Sequence, residues 1–201
     1  MAATHLQNVT AVSYSGATSV TANFAALTNG SLLVALMTSE EQTGANTCSD
    51  SVNGAYTADV TRQQGSNGAG RGTATIFSKV NTSTSTATVT GTPAASSYGI
   101  LKIYERSAGA SPVLDSTAGG SGTTGFTDNS ITLTTVNAGA SIYAVGCHYP
   151  VEGSADSGFT ESSNFGGNWS FHFSEFKLDA GAAGGNTVTY STTVDKSAWS
   201  N

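Results

Sequence analysis

The chain has 201 residues, a formal net charge of −6 and only 10% charged residues, and Ser, Thr, Gly and Ala dominate it. Such an acidic, charge-poor chain argues against a surface that neutralises nucleic-acid phosphates, and without a run of about 18 apolar residues no membrane span is expected. The same composition suits many short strands joined by tight turns, gathered in a single domain over residues 1–201.

A flexible polar arm, residues 1–8, is expected to precede two half-buried strands, Val9 to Tyr14 and Thr18 to Ala25, where apolar and polar residues alternate around Gly16. Asn29-Gly30 then turns the chain into Ser31 to Thr38, its densest apolar run. That run is too short for an ordinary helix and is bounded by turn residues, so it reads as a central buried strand that the rest of the chain has to cover. An acidic loop, Glu40 to Ser51, leads to a strand at Ala55 to Val60. Beyond the Gly-rich connection Gln63 to Gly72, the runs Thr73 to Val80, Thr86 to Thr90 and Tyr98 to Glu105 read as a meander. Arg106 to Phe126, with Pro112 and Gly119-Gly120-Ser121-Gly122, reads as a long exposed crossing.

Past this crossing the first half recurs. Asn129 to Thr135, Asn137-Ala-Gly139 and Ser141 to Cys147 repeat the order of strand, Asn/Gly turn and apolar strand seen at Val20 to Thr38. Ser170 to Lys177 stands where Thr73 to Lys79 stood, and Asn186 to Tyr190 where Thr86 to Thr90 stood. Lys196-Ser-Ala-Trp199 falls where Ala95-Ser-Ser-Tyr98 introduces the strand Gly99 to Glu105, and that strand is missing from the second half. Either Val9 to Tyr14 fills that place, or residues 193–201 form a tail beside an open sheet edge; Met1 to Tyr14 or the tail, with Trp199 as an anchor, is expected to make the contacts that decide assembly. The expected fold is all-β: a two-sheet β-sandwich of jelly-roll type with an internal pseudo-duplication, helix being limited to isolated turns.

No catalytic constellation stands out. His148, Glu152 and Asp156 are spaced by four, but Pro150 and Gly153 oppose a helix that would bring them together, so solvated loop charges are the reading preferred over a metal or acid/base site. His172 alternates with Phe171 and Phe173 and is expected to point outward as a polar position; His5 is expected in the arm. Asp50-Ser-Val-Asn-Gly54 lacks the acidic ligands of a calcium loop and reads as a simple turn. Glu40 and Glu41 could serve glycoside hydrolysis only by facing Glu105 or Asp115 across a cleft, and nothing in the sequence fixes such a distance. Neither a catalytic nor a metal residue nor a cofactor is assigned. The start, Met1 to Asn8, has no basic segment followed by an apolar one, so folding in a cytoplasm is expected, with Cys48 and Cys147 as free thiols. Phe159, Phe165 and Trp169 share a Gly/Ser/Asn-rich loop, where packing or an intersubunit contact is preferred over a platform for stacking sugars.

The segments Asn29-Gly-Ser-Leu-Leu-Val34, Ser49-Asp-Ser-Val-Asn-Gly54 with Tyr56, Ile76-Phe77, Ala87-Thr-Val-Thr90, Gly99-Ile-Leu-Lys-Ile-Tyr-Glu105 and Ala144-Val145 carry a resemblance. Together they make the chain from about Val20 onward resemble a β-sandwich module of phage structural proteins and bacterial extracellular proteins. The resemblance implies a structural or display role and carries over no catalytic residue. The expectation is a virion protein of capsid decoration or cement type, assembled in the host cytoplasm, contacting the major capsid protein or another virion protein and forming a homo-oligomer. The alternative is a glycan-binding adhesin or tail-fibre module using the Phe159 to Trp169 loop.

Overall fold

The computed structural model describes residues 4–40, 44–64, 72–107, 114–115, 117, 119–121, 128–148, 158–166, 171–179, 181–191 and 197–200. In chain order the strands are β1 (His5–Ala17), β2 (Val20–Phe24), β3 (Leu32–Ser39), β4 (Thr47–Asp50), β5 (Gly54–Ala55), β6 (Thr57–Gln64), β7 (Gly72–Val80), β8 (Ala87–Thr92) and β9 (Ser97–Arg106) in the first half. The second half contributes β10 (Gly119–Ser121), β11 (Asp128–Thr135), β12 (Ile142–His148), β13 (Thr160–Gly166), β14 (Phe171–Lys177), β15 (Gly184–Ser191) and β16 (Ser197–Ser200). The protein is all-β, and no helix occurs among the described residues.

The first half is a nested antiparallel ribbon. β1 pairs with β9, β2 with β8, and β3 with β7. Two further pairings, β3 with β9 and β4 with β8, roll the ribbon into a sandwich. One layer is the central sheet, β1-β9-β3-β7-β6; the other is the outer sheet, β2-β8-β4-β5. The meander expected over β7, β8 and β9 is thus replaced by strands that alternate between layers, a difference that alternation of side chains along each strand does not reveal.

The second half repeats the pairing. β10 pairs with β16, β11 with β15, β12 with both β14 and β16, and β13 with β14, giving a facing sheet in the order β10-β16-β12-β14-β13. Each neighbour relation reproduces one in the central sheet, with β10 standing for β1, β16 for β9 and β13 for β6. The turns agree as well. Gly30 and Gly139 both adopt left-handed φ (81° and 72°) just before the apolar strand, where a side chain would be strained. Their amides donate to equivalent carbonyls beyond the next long strand, Gly30 to Asn81 at 2.9 Å and Gly139 to Gly181 at 2.8 Å.

Three layers explain the composition of β3. Leu33, Ala35 and Met37 pack with Val20, Phe24 and Val89 of the outer sheet, whereas Val34 and Leu36 pack with Tyr143, Val145 and Cys147 of β12. Leu33, Ala35, Leu36 and Met37 are all 0% exposed. A strand covered on both faces loses the polar alternation of a half-buried one, so the unbroken apolar run follows from its place in the middle layer. At about 1.5–3 kcal/mol for each large apolar side chain buried, β3 anchors both interfaces.

Several expectations are corrected. Residues 5–8 are not an arm: they begin β1, with His5 opposite Arg106. Gly119 to Ser121, expected in the exposed crossing, forms β10 against β16. The tail expected over 193–201 contains β16, which lies between β10 and β12 and pairs with Val145 to His148. The strand thought missing is therefore present in short form, with Trp199 opposite Gly146 as Leu101 is opposite Met37. Thr160 to Gly166, expected as loop, is β13; its polar sequence hides a strand because it is an edge with a bulge between Glu161 and Ser163.

Candidate functional site

The chemistry-bearing side chains converge where the central and facing sheets meet. On β14, His172, Ser174 and Phe176 share the face of β12 that carries Cys147, Val145 and Tyr143, because these residues are register partners in the antiparallel pair. That face lies against β3, β7 and β9. His172 is accordingly 0% exposed, which corrects its expected outward position: Phe173, on the other face of β14, is 0% exposed as well, so both faces are covered.

Two clusters form there. In the first, His172 Nε2 lies 3.7 Å from Glu40 Oε1 at the end of β3, Cys147 is its cross-strand partner, and the Phe165 ring stacks on the imidazole at 6.2 Å and 26°. Burial pulls the His172 pKa down, with the hydrogen bond and charge of Glu40 acting in the opposite direction. The Glu40 amide donates to Ser97 Oγ at 2.8 Å, fixing the carboxylate's strand end. Tyr14 reaches the same region across Gly99, its hydroxyl donating to the Thr38 carbonyl at 2.5 Å. Burial first, then the neighbouring Cys147 and Glu40, raise the Tyr14 pKa far above the phenol range.

In the second cluster, His5 stacks on Tyr104 at 4.6 Å and 28°, meets Phe176 at 4.5 Å, and shares a 3.0 Å hydrogen bond with Tyr143 Oη. Burial lowers the His5 pKa to about 4, assisted by the positive charges of Lys102 and Arg106. Lys102 is itself buried, donates to the Val9 carbonyl at 2.5 Å and lies 5.2 Å from the Tyr104 ring centroid; burial lowers its pKa to about 8. Ser162 and Ser174 join their hydroxyls at 2.6 Å beside these rings.

Cys147, His172 and Glu40 combine a thiol, an imidazole and a carboxylate, the types of a nucleophile, a base and its orienting group. They are 3%, 0% and 5% exposed, so all three side chains are buried. Neither cysteine forms a disulfide. Cys48 lies in the core between outer and central sheets and Cys147 in the core between central and facing sheets, so the central sheet separates them. Burial pushes the Cys48 thiol up to about 12.

Glu40 and Glu105 do not face one another. Glu105 is opposite Leu33 and Glu40 follows Ser39, so the two stand seven residues apart along β3, roughly 23 Å at 3.3 Å per residue. This exceeds the roughly 5–9.5 Å that paired glycosidase carboxylates span. Glu105 instead accepts bonds from Gln7 Nε2 (2.7 Å), the Thr28 amide (2.6 Å) and Ser31 Oγ (2.8 Å). Asp115 accepts from the Val136 amide at 2.9 Å and from Asn137 Nδ2 at 2.6 Å. Asp50 closes the expected turn: Oδ1 accepts from the amides of Val52 and Asn53, and Oδ2 from Asn53 Nδ2 and the Tyr56 hydroxyl. Burial raises its pKa, but these four donors outweigh that and leave it lowered.

Tyr14, expected among the assembly contacts, is 6% exposed and belongs to the core of the first half, so it offers no surface. Phe165 is half-buried against His172, and Phe159 is half-buried with Lys177 Nζ 5.8 Å from its ring centroid. Trp169, Glu41, Glu152, Asp156 and the side chains of His148 and Trp199 lie outside the described residues. Among the described residues no group of three or more His, Cys, Asp and Glu is arranged to hold a metal, and no helix is long and apolar enough to cross a membrane. Comparison with protein-family models, with curated proteins and with solved structures returned no match.

Proposed function

We propose that this chain is a non-enzymatic structural protein of a virus particle, a decoration or cement component that coats a capsid through repeated, symmetric contacts with the major capsid protein and with its own copies. The observation that carries this reading is the nested strand order, present twice in one chain. A ribbon in which β1, β2 and β3 pair with β9, β8 and β7, and which then rolls so that β3 meets β9 and β4 meets β8, supports the reading of a jelly-roll wrap with β6 added at one edge. Jelly rolls recur in capsid and lectin domains, so the support is at the level of the fold. Surface chemistry adds to it: the exposed strand positions Thr10, Ser13, Thr21, Asn23, Thr88 and Thr92 are short, polar and uncharged, which suits close packing of many copies without mutual repulsion.

The sugar-binding alternative is less well supported, because Phe165 stacks on a buried imidazole and β13 is a strand rather than a loop. The test is to add purified protein to particles stripped of it. Saturable addition with a rise in particle melting temperature supports the proposal; a stable lone monomer that binds no particle overturns it.

A further inference from the structure

We propose that the interface between the central and facing sheets is an acid-operated latch: uncharged His5 and His172 sit inside it and hold the halves together, and their protonation releases the facing sheet. This goes beyond the structural role proposed above and does not depend on it. Both histidines bridge the halves. His5 belongs to β1 but contacts Tyr143 of β12 and Phe176 of β14, and His172 belongs to β14 but contacts Glu40 at the end of β3. The surroundings of each are closed. His5 faces Tyr104, Lys102 and Arg106 from β9 and Tyr143 and Phe176 from the second half, so among the described residues an added proton would meet two cations and no carboxylate. His172 faces Glu40, Cys147, Phe165 and, within electrostatic reach of the same pocket, Tyr14; Glu175 lies on the other face of β14.

The sign follows from linkage. A histidine whose pKa is lower in the closed state than in the open one costs nothing above pH 6.5 and weakens closure as the pH falls below it. For His5, with 6.5 in the open state and about 4 in the closed one, the closing equilibrium loses roughly 160-fold by pH 4 and approaches a limit of roughly 300-fold below it. His172 acts in the same direction, moderated by Glu40, whose carboxylate favours the protonated ring. Opening would uncover Val34, Leu36, Ile76 and Tyr104 on one side and Val145 and Cys147 on the other, while the core between outer and central sheets stays closed.

The molecule carries its own reporters, since Cys147 lies in the latch and Cys48 outside it, and they are almost equally buried at 3% and 4%. The full chain is labelled with 4,4′-dithiodipyridine from pH 7.5 to 4, each rate being normalised to free cysteine at that pH and each site read by peptide mass spectrometry. Cys147 labelling should accelerate by one to two orders of magnitude below pH 6 while Cys48 stays protected. His5→Phe, which keeps a neutral ring between Tyr104 and Phe176, should remove most of that acceleration, and His172→Gln part of it. Cys147 protection that is constant with pH, equal acceleration at both thiols, or an unchanged acid response in both variants overturns the latch. If a variant fails to fold by circular dichroism, the comparison of the two thiols in the unaltered chain still decides.

Discussion

Replacing Gly99 with Ala puts a methyl group where the sheet has no room. A Cβ there would overlap the Thr38 carbonyl oxygen and lie 2.7 Å from the Tyr14 hydroxyl, so both the β3 backbone and the ring that crosses Gly99 would have to move. Overpacking a tight site costs about 1–3 kcal/mol. Displacing the ring also breaks the buried bond from Tyr14 to Thr38, which contributes about 1 kcal/mol more. The total of about 3 kcal/mol corresponds to a fall in melting temperature of about 6–12 °C for a chain of this length. Urea unfolding followed by circular dichroism measures it, with Tyr14→Phe as the control that removes only the hydroxyl and should cost about 1 kcal/mol. A Gly99→Ala protein within about 0.5 kcal/mol of the unaltered one would refute the close approach of β1, β9 and β3 on which the argument rests.

Leu36→Ala should cost about 2–5 kcal/mol and speed Cys147 labelling at neutral pH, whereas Met37→Ala, one residue on but facing the outer sheet, should cost a similar amount and expose Cys48 instead; the two labelling patterns check the assignment of faces. Because the folded-state pKa of Asp50 is depressed, its contribution is present above the unfolded value of 3.8 and is lost as pH falls through the lowered folded value; Asp50→Asn should lower stability at pH 7 and flatten the acid limb below about pH 4 in a pH series of urea midpoints. Glu105→Ala should destabilise by about 3 kcal/mol, since the Thr28 amide and Ser31 hydroxyl lose a charged acceptor, as read by thermal unfolding. Deleting residues 196–201 removes β16 from between β10 and β12, so hydrogen exchange should rise across β12 and stay unchanged across β2 and β8.

The β-rich class, the central strand and the internal repeat were readable because each rests on a local signal. Asn29-Gly30 and Ala138-Gly139 mark equivalent turns, and Leu33 to Met37 is too apolar to be half-exposed. The layer to which each strand belongs was not readable. Alternation in β14 separates His172 from Phe171 and Phe173 but does not say that both faces are covered, so a buried histidine looked like an outward one. β13 was hidden for a related reason: an edge strand of Thr, Glu, Ser and Asn has no apolar period, and its aromatic contact, Phe165 on His172, is made across strands. The Glu40–His172 pair joins residues 132 positions apart, and its only trace in the sequence was the repeat itself, which sets β14 beside β12 as β7 is set beside β3.

The central claim, a structural component of a virus particle, is tested most directly by recovering the native protein and asking what it travels with. Quantitative mass spectrometry of particles purified by density gradient is predicted to find the chain in a fixed, whole-number ratio to the coat protein. Recovery only in the particle-free fraction, as a lone monomer, would contradict the account.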